Sequence, residues 1–247
     1  MNEELSYGGL ACVYDMLTDD VAYDERTSYI LKLLDKHLGK EPDILCDLGC
    51  GTGTICNLLS AKGIDCIGID SSESMLSIAR QKDSENKILY LLQDITEFEL
   101  YGTVDVFLSM LDTLNYIVDE KDVFNIFKLV KNYLNPGGVF IFDINTKYKF
   151  ENILGNNTFT YEKDGVFYSW ENYYENNVLE FYLNFFVENE DGSYNRIYEE
   201  HIQRYHSLEF LQDCACKVGL ELVGVYSDLT MSEPHDEDER IFLIFKN

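Results

Sequence analysis

Asp47-Leu48-Gly49-Cys50-Gly51-Thr52-Gly53 is the run from which the rest of the chain is read. The apolar residues Ile44-Leu45-Cys46 lead into it, and Thr54-Ile55-Cys56-Asn57-Leu58-Leu59 leave it with helical spacing. The expectation is a strand, a glycine turn and then a helix. Three glycines alternating with small residues let the backbone turn sharply and come close to a ligand. Such a turn also aims the unpaired amides of the helix start at whatever lies beyond the strand's carboxyl end.

A dinucleotide fingerprint requires G-x-G-x-x-G. Gly49 and Gly51 satisfy it, but the third position is Thr54 and Gly53 comes one residue early. Asp47, at the strand end, would repel a pyrophosphate and suits a ligand carrying an ammonium group. The run resembles the first motif of class I S-adenosylmethionine-dependent methyltransferases, (D/E)-x-G-x-G-x-G, at every fixed position. The resemblance implies a Rossmann-like α/β core of seven mostly parallel strands with helices on both faces. It also implies S-adenosyl-L-methionine as cofactor, with S-adenosyl-L-homocysteine as product. Gly49, Cys50, Gly51 and Gly53 are then cofactor-binding positions beside Asp47.

Further positions follow from the chain on either side. Cys66-Ile-Gly-Ile-Asp70 reads as a buried strand ending in an acid near the interval at which such an acid reaches a ribose. Ser71 or Ser72 caps the next helix, on which Met75 faces back toward the adenine. Asp94, ending the strand from Ile88, resembles the family's adenine-edge acid, with Ile95 supplying an amide. The alternative reading is an ordinary turn aspartate. The strand Val104 to Met110 is expected beside the first one, so Met110 and Leu111 border the cofactor. Asp112, Asn115 and Tyr116 then offer polar groups to an acceptor, Asp112 and Tyr116 as catalytic candidates. Upstream, Tyr23 to Leu38 has the spacing of an amphipathic helix stopped by Gly39. Before it, Tyr14-Asp15 resembles the aromatic–aspartate pair of the family's leading helix. Tyr14 either touches the cofactor's methionine part or fills a seam between helices.

Asp122 to Leu134 forms another amphipathic helix, and Asn135-Pro136-Gly137-Gly138 turns into a strand over Val139 to Ile144. From Asn156 the texture changes to period-two sequence, with turns at Asp164-Gly165, Asn176-Asn177 and Asp191-Gly192. That is an antiparallel sheet of about four strands. The division expected is a methyltransferase core over 1–150 and 206–247, with an N-terminal helical cap. Residues 151–205 are an inserted lid over the substrate side, or alternatively a docking face. His201, on the lid's last strand, is a candidate general base because its ordinary pKa permits proton transfer near neutrality. Ser207 caps a helix to Val218, two strands end the chain, and Ser232 to Glu239 reads as a solvated acidic loop.

Composition narrows the partners. The 247 residues carry a net charge of −26, from 45 acidic and 19 basic side chains. A nucleic acid would need a basic stripe, and the densest pair, Lys128 and Lys131, reads as solvated. Seven cysteines show no zinc-like spacing, so no metal site is expected and the thiols are read as reduced. No run reaches the roughly 18 apolar residues of a membrane helix, and the N-terminus lacks a signal peptide's basic start. The expectation is a cytoplasmic enzyme, monomer or homodimer, that methylates an oxygen, nitrogen or carbon nucleophile of a small molecule. The alternatives are a non-catalytic cofactor binder with a protein-docking sheet, an RNA or protein methyltransferase, and a nucleotide-dependent oxidoreductase.

Overall fold

A computed structural model describes residues 21–163, 165–189 and 191–247. Helix α1 (Tyr23–His37) buries Tyr29, Ile30, Leu33 and Leu34 at helical spacing and gives way at Gly39, whose φ is 74°. The chain then alternates: β1 (Ile44–Leu48), α2 (Thr54–Ser60), β2 (Asp65–Asp70), α3 (Glu73–Lys82), β3 (Leu89–Leu92) and β4 (Val104–Ser109). After a 3-10 turn (Thr113–Tyr116) come α4 (Glu120–Tyr133) and β5 (Leu134–Asn145). Helix α5 (Leu208–Val218), β10 (Glu221–Ser227) and β11 (Arg240–Lys246) complete the core.

Seven strands form one sheet in the order β10-β11-β5-β4-β1-β2-β3. Neighbours run parallel except β11, which is antiparallel to both β5 and β10. The chain moves outward from β1 to β3 and returns to β4 on β1's other side, with Leu45 opposite both Cys66 and Val106. That reversal opens a crevice at the carboxyl ends of β1 and β4. β4 is buried along its whole length, as a central parallel strand between two helical layers must be.

Two local expectations are corrected. The Asn135-Pro136-Gly137-Gly138 turn lies inside β5 as a wide bulge: Val104 faces Leu134, whereas Val106 already faces Val139. Asn247 fixes the bulge by donating its amide to Gly138 O (3.0 Å) and accepting that of Gly137 (2.8 Å). Lys131 is not merely solvated, since its Nζ donates to Gly219 O at 2.9 Å and to Asn247.

The second sheet is antiparallel, in the order β6 (Thr158–Lys163), β7 (Val166–Glu175), β8 (Val178–Glu188), β9 (Tyr194–Arg204). Asn176 and Asn177, with φ of 53° and 64°, make the two-residue β7–β8 turn. Its inner face carries Trp170 and Asn172 from β7, Leu179, Phe181 and Phe185 from β8, and Glu199, His201 and Gln203 from β9. A short π-helix (Lys149–Leu154), absent from the sequence reading, buries Phe150 and Leu154 against Leu179 and Phe181. Tyr205 lies just past the end of β9 and packs on Phe150.

The sheet is stitched to the core beside the crevice. Asn115, expected to meet an acceptor, is fully buried instead: Nδ2 donates to Arg204 O (2.9 Å) and Oδ1 accepts from the Asn145 amide (2.9 Å). Its amide thus satisfies backbone groups of two elements that have no ladder in common. The acidic loop is also more than solvated. Asp238 accepts from Ser227 Oγ (2.6 Å) and the His235 amide (2.7 Å), which folds the loop onto β10.

Candidate active site

A cavity of about 580 Å³ opens at the crevice. Its floor is the glycine loop, and the three glycines there do different work. Gly49 (φ 75°) has no room for a Cβ because Thr113 fills that space. Gly53 (φ 71°) is the residue before α2, and a Cβ on it would collide with the Tyr90 hydroxyl; it does not line the cavity. Gly51 (φ 54°) borders the cavity and has nothing within 4 Å of where a Cβ would sit. Gly49 and Gly53 are glycines for packing. Gly51 is the one that leaves space for a ligand.

Two carboxylates flank the loop. Asp70 holds it in shape: Oδ2 accepts from the Gly51 amide and Oδ1 from the Ser72 amide, both at 2.8 Å. Burial raises the Asp70 pKa and those amides oppose the rise. Ser71 and Ser72 border the cavity, and Ser72 Oγ caps α3 through the Met75 amide (3.3 Å). Asp47 is 2 % exposed; Oδ2 has a Cys56 thiol at 3.6 Å, while Oδ1 has no partner. Burial pushes Asp47 up to about 7. An unpaired buried carboxylate oxygen is costly, and an ammonium group delivered by a ligand would relieve it.

Met75, Asp94, Ile95, Met110 and Leu111 also border the cavity. Asp94 does make the simple turn, Oδ1 accepting from the Thr96 amide and hydroxyl at 2.7 Å each. Tyr14 lies outside the described residues.

The far wall is built from β4's tail, β9 and β11. Leu111 and Asp112 both have positive φ (57° and 54°), a strained pair for non-glycine residues. Asp143, fully buried on β5, holds them by accepting the Leu111 amide (2.6 Å) and the Asp112 amide (3.2 Å). Arg240 then bridges Asp143 and Asp112, the latter at 2.5 Å. Burial works against the guanidinium's charge, yet Asp143 and Asp112 hold its pKa above the usual value. Gln203 Nε2 donates to the other Asp112 oxygen at 2.6 Å. Asp112, a catalytic candidate from sequence, is therefore committed on both oxygens and serves to position the wall. Arg240 and Asp143 escaped the sequence reading. A lone acid inside the apolar run Val139 to Ile144 and a lone arginine opening the last strand were the available signals.

Tyr116 and His201 do face the cavity. Their rings meet edge-on at 5.9 Å, and His201 stacks on Phe181 at 5.0 Å. Burial lowers His201 to about 4, so its imidazole is neutral at pH 7.

Residues 45–138 match a family model described as a methyltransferase domain. The putative methyltransferase YqeM of Bacillus subtilis (strain 168) is 35% identical over 240 residues, which is 96% of this chain and 95% of that one. The crystal structure of an S-adenosylmethionine-dependent methyltransferase from Clostridium acetobutylicum ATCC 824 superposes with a TM-score of 0.89. It is 34% identical and the match covers 97% of this chain and 98% of that one. SAM-bound CalS10, an amino pentose methyltransferase from Micromonospora echinaspora, has the same fold: TM-score 0.77, 16% identity, covering 95% of this chain and 96% of that one.

Proposed function

The chain belongs to the S-adenosylmethionine-dependent methyltransferases of class I, and from that premise we propose that its acceptor is a small molecule bound between the cofactor cavity and the four-stranded sheet. In this reading the sheet over 151–205 is a lid, and the core comprises 1–150 and 206–247. One observation carries it: the cavity that begins at Gly51 ends against Tyr116 and His201, under the sheet's inner face. A net charge of −26 supports a small acceptor over a nucleic acid.

The residues bordering the cavity suit S-adenosylmethionine. Asp47 would take its ammonium group and Gly51 leaves room for its amino-acid portion. Asp70 has lone pairs left for the ribose hydroxyls. Met75 and Ile95 supply apolar surface for the adenine, with Asp94 at its edge. When bound, the cofactor supplies an electrophilic sulfonium methyl, and S-adenosylhomocysteine leaves. The chain's task is to align an acceptor atom with that methyl and to keep water away, because charge disperses as the methyl moves. No protein nucleophile is required. Tyr116 and the ring pair Phe181–His201 form an apolar wall for this purpose. Neutral His201 can accept a proton, although a group of pKa about 4 is a weak base at neutral pH.

Native mass spectrometry of the purified protein would identify a ligand carried through isolation, and methyl transfer from isotopically labelled cofactor to a small-molecule library would test the acceptor class. Transfer to library members supports the reading. Cofactor binding with no transfer across the library would favour a non-catalytic binder, in which the exposed face of Tyr173, Tyr198 and Ile202 docks another protein.

A further inference from the structure

We propose that Glu199, Trp170 and His201 form the acceptor subsite, and that the acceptor it takes carries a basic amine. The inference rests on the methyltransferase reading above and narrows its acceptor. Four side chains on the inner face of the lid keep buried polar atoms with no hydrogen-bond partner: Glu199 Oε1, His201 Nε2, Trp170 Nε1 and Asn172 Oδ1. Glu199 is only 2 % exposed and His201 9 %. Native proteins pair such atoms almost without exception, so four on one face of one sheet point to a group that arrives from outside.

Strand register puts them together. Trp170 stands opposite Leu183, and Leu183 opposite Glu199, in one cross-strand row. The next row is Asn172, Phe181 and His201, and His201 borders the cavity. Rings wall the patch: Trp170 packs on Phe181 at 5.8 Å, Phe181 on His201 at 5.0 Å, and Tyr116 closes edge-on to both. Gln203, one position further along the strand face, is already committed to Asp112.

One carboxyl group among aromatic rings suits an ammonium ion, which it pairs with directly while the ring faces attract the charge. Arg240, the cation that borders the cavity among the described residues, is already held by Asp112 and Asp143 and is not free for an anionic acceptor. Burial alone pushes the Glu199 carboxyl up to about 7, near the range wanted of a base working at neutrality. An amine entering as its ammonium form gives one proton to the Glu199 carboxylate and becomes a free amine. Its lone pair then forms the N–C bond as the S–C bond of the sulfonium breaks and that electron pair returns to sulfur. The product is a methylated ammonium ion, and Glu199 releases its proton to water. A neutral alcohol brings no charge to the carboxylate and gives up its proton far less readily.

The test uses the full chain loaded with S-adenosylhomocysteine and matched probes: tyramine against 4-hydroxyphenethyl alcohol, and cyclohexylamine against cyclohexanol. At least one amine should raise the melting temperature and its alcohol partner should not. Glu199→Gln should abolish that shift while S-adenosylhomocysteine affinity stays within about twofold, since Glu199 does not border the cavity at the glycine loop. Glu199→Leu, with no probe present, should raise the melting temperature by a few degrees, because it replaces an unpaired buried carboxyl with an apolar side chain. Equal shifts from amines and alcohols, no shift from either amine, or a lowered melting temperature in Glu199→Leu would each overturn the subsite. Failure of the wild type to bind S-adenosylhomocysteine would strike at the cofactor assignment itself.

Discussion

The floor of the cavity and its roof treat polar groups in opposite ways. On the floor, Asp70 spends both oxygens on loop amides, and Asp47 Oδ1 is left unpaired among the described residues. On the roof, Glu199, His201 and Trp170 all hold unpartnered polar atoms. The floor is a rigid cradle finished before any ligand arrives, and the roof is an incomplete network that a second molecule must finish. A methyltransferase gains from the division. A fixed cofactor methyl gives the acceptor a defined target, while the acceptor's own polar groups complete the enclosure that keeps water out.

The widest test of that division is the ion-pair cluster of Arg240, Asp143 and Asp112 in the wall between the two halves. Arg240→Met would leave Asp143 buried without its cation, and the Leu111–Asp112 amides alone would have to hold it. We expect a loss of about 3–5 kcal/mol, as for a broken buried ion pair, read by urea unfolding at pH 7. A loss below about 1 kcal/mol would mean that the wall stands without the arginine. Next comes the packing of the floor. Gly53→Ala places a Cβ against Tyr90 at positive φ and should cost about 2–4 kcal/mol. Gly51→Ala has open space and should cost only about 1 kcal/mol of backbone strain. Equal costs would erase the distinction between packing glycines and the ligand-facing one.

Asp70→Ala removes the acceptor of two amides and should weaken S-adenosylhomocysteine by about 1.5–3 kcal/mol in a calorimetric titration. Unchanged affinity would remove Asp70 from the cofactor's contacts. The two halves also differ in their pH dependence. The folded pKa of Asp47 lies above its unfolded value, at about 7 against 3.8, so its contribution is full below about pH 4 and is lost as pH rises through 7. His201 has the opposite sign. Its folded pKa of about 4 lies below the unfolded 6.5, so its contribution is present above pH 6.5 and is lost as pH falls toward 4. Asp47→Asn should therefore flatten the decline of the free protein's stability between pH 5 and 8, and His201→Phe should flatten the acid side. Neither change altering the profile would contradict the burial assigned to them.

Sequence carried the floor well and the roof poorly, for a physical reason. The glycine loop, Asp70, the Ser72 cap and Met75 lie within 30 residues of one another, and their geometry follows from local strand, turn and helix chemistry. The four-stranded sheet was legible from alternation, and in a strand alternation alone puts His201 and Gln203 on one face. What alternation cannot show is what that face meets. Asp112 read as an acceptor-facing acid because its partner Arg240 is 128 residues away. Asn115 read as a substrate contact because Arg204 O is 89 residues away. Glu199 gave no signal as one acid among many in an acidic chain, and only burial separates it from Glu200 beside it. The π-helix at Lys149–Leu154 was missed because its reason is the four-stranded sheet packed on Phe150 and Leu154, not a local propensity.

The most direct test of a finished cradle is a calorimetric titration of S-adenosylhomocysteine and, separately, of NAD into the wild type and Gly51→Ala. The account predicts one S-adenosylhomocysteine site per chain, no NAD binding, and at least about a tenfold loss of affinity in Gly51→Ala, where the new methyl intrudes on the ligand. Binding of NAD in place of S-adenosylhomocysteine, or equal affinity in wild type and Gly51→Ala, would contradict it.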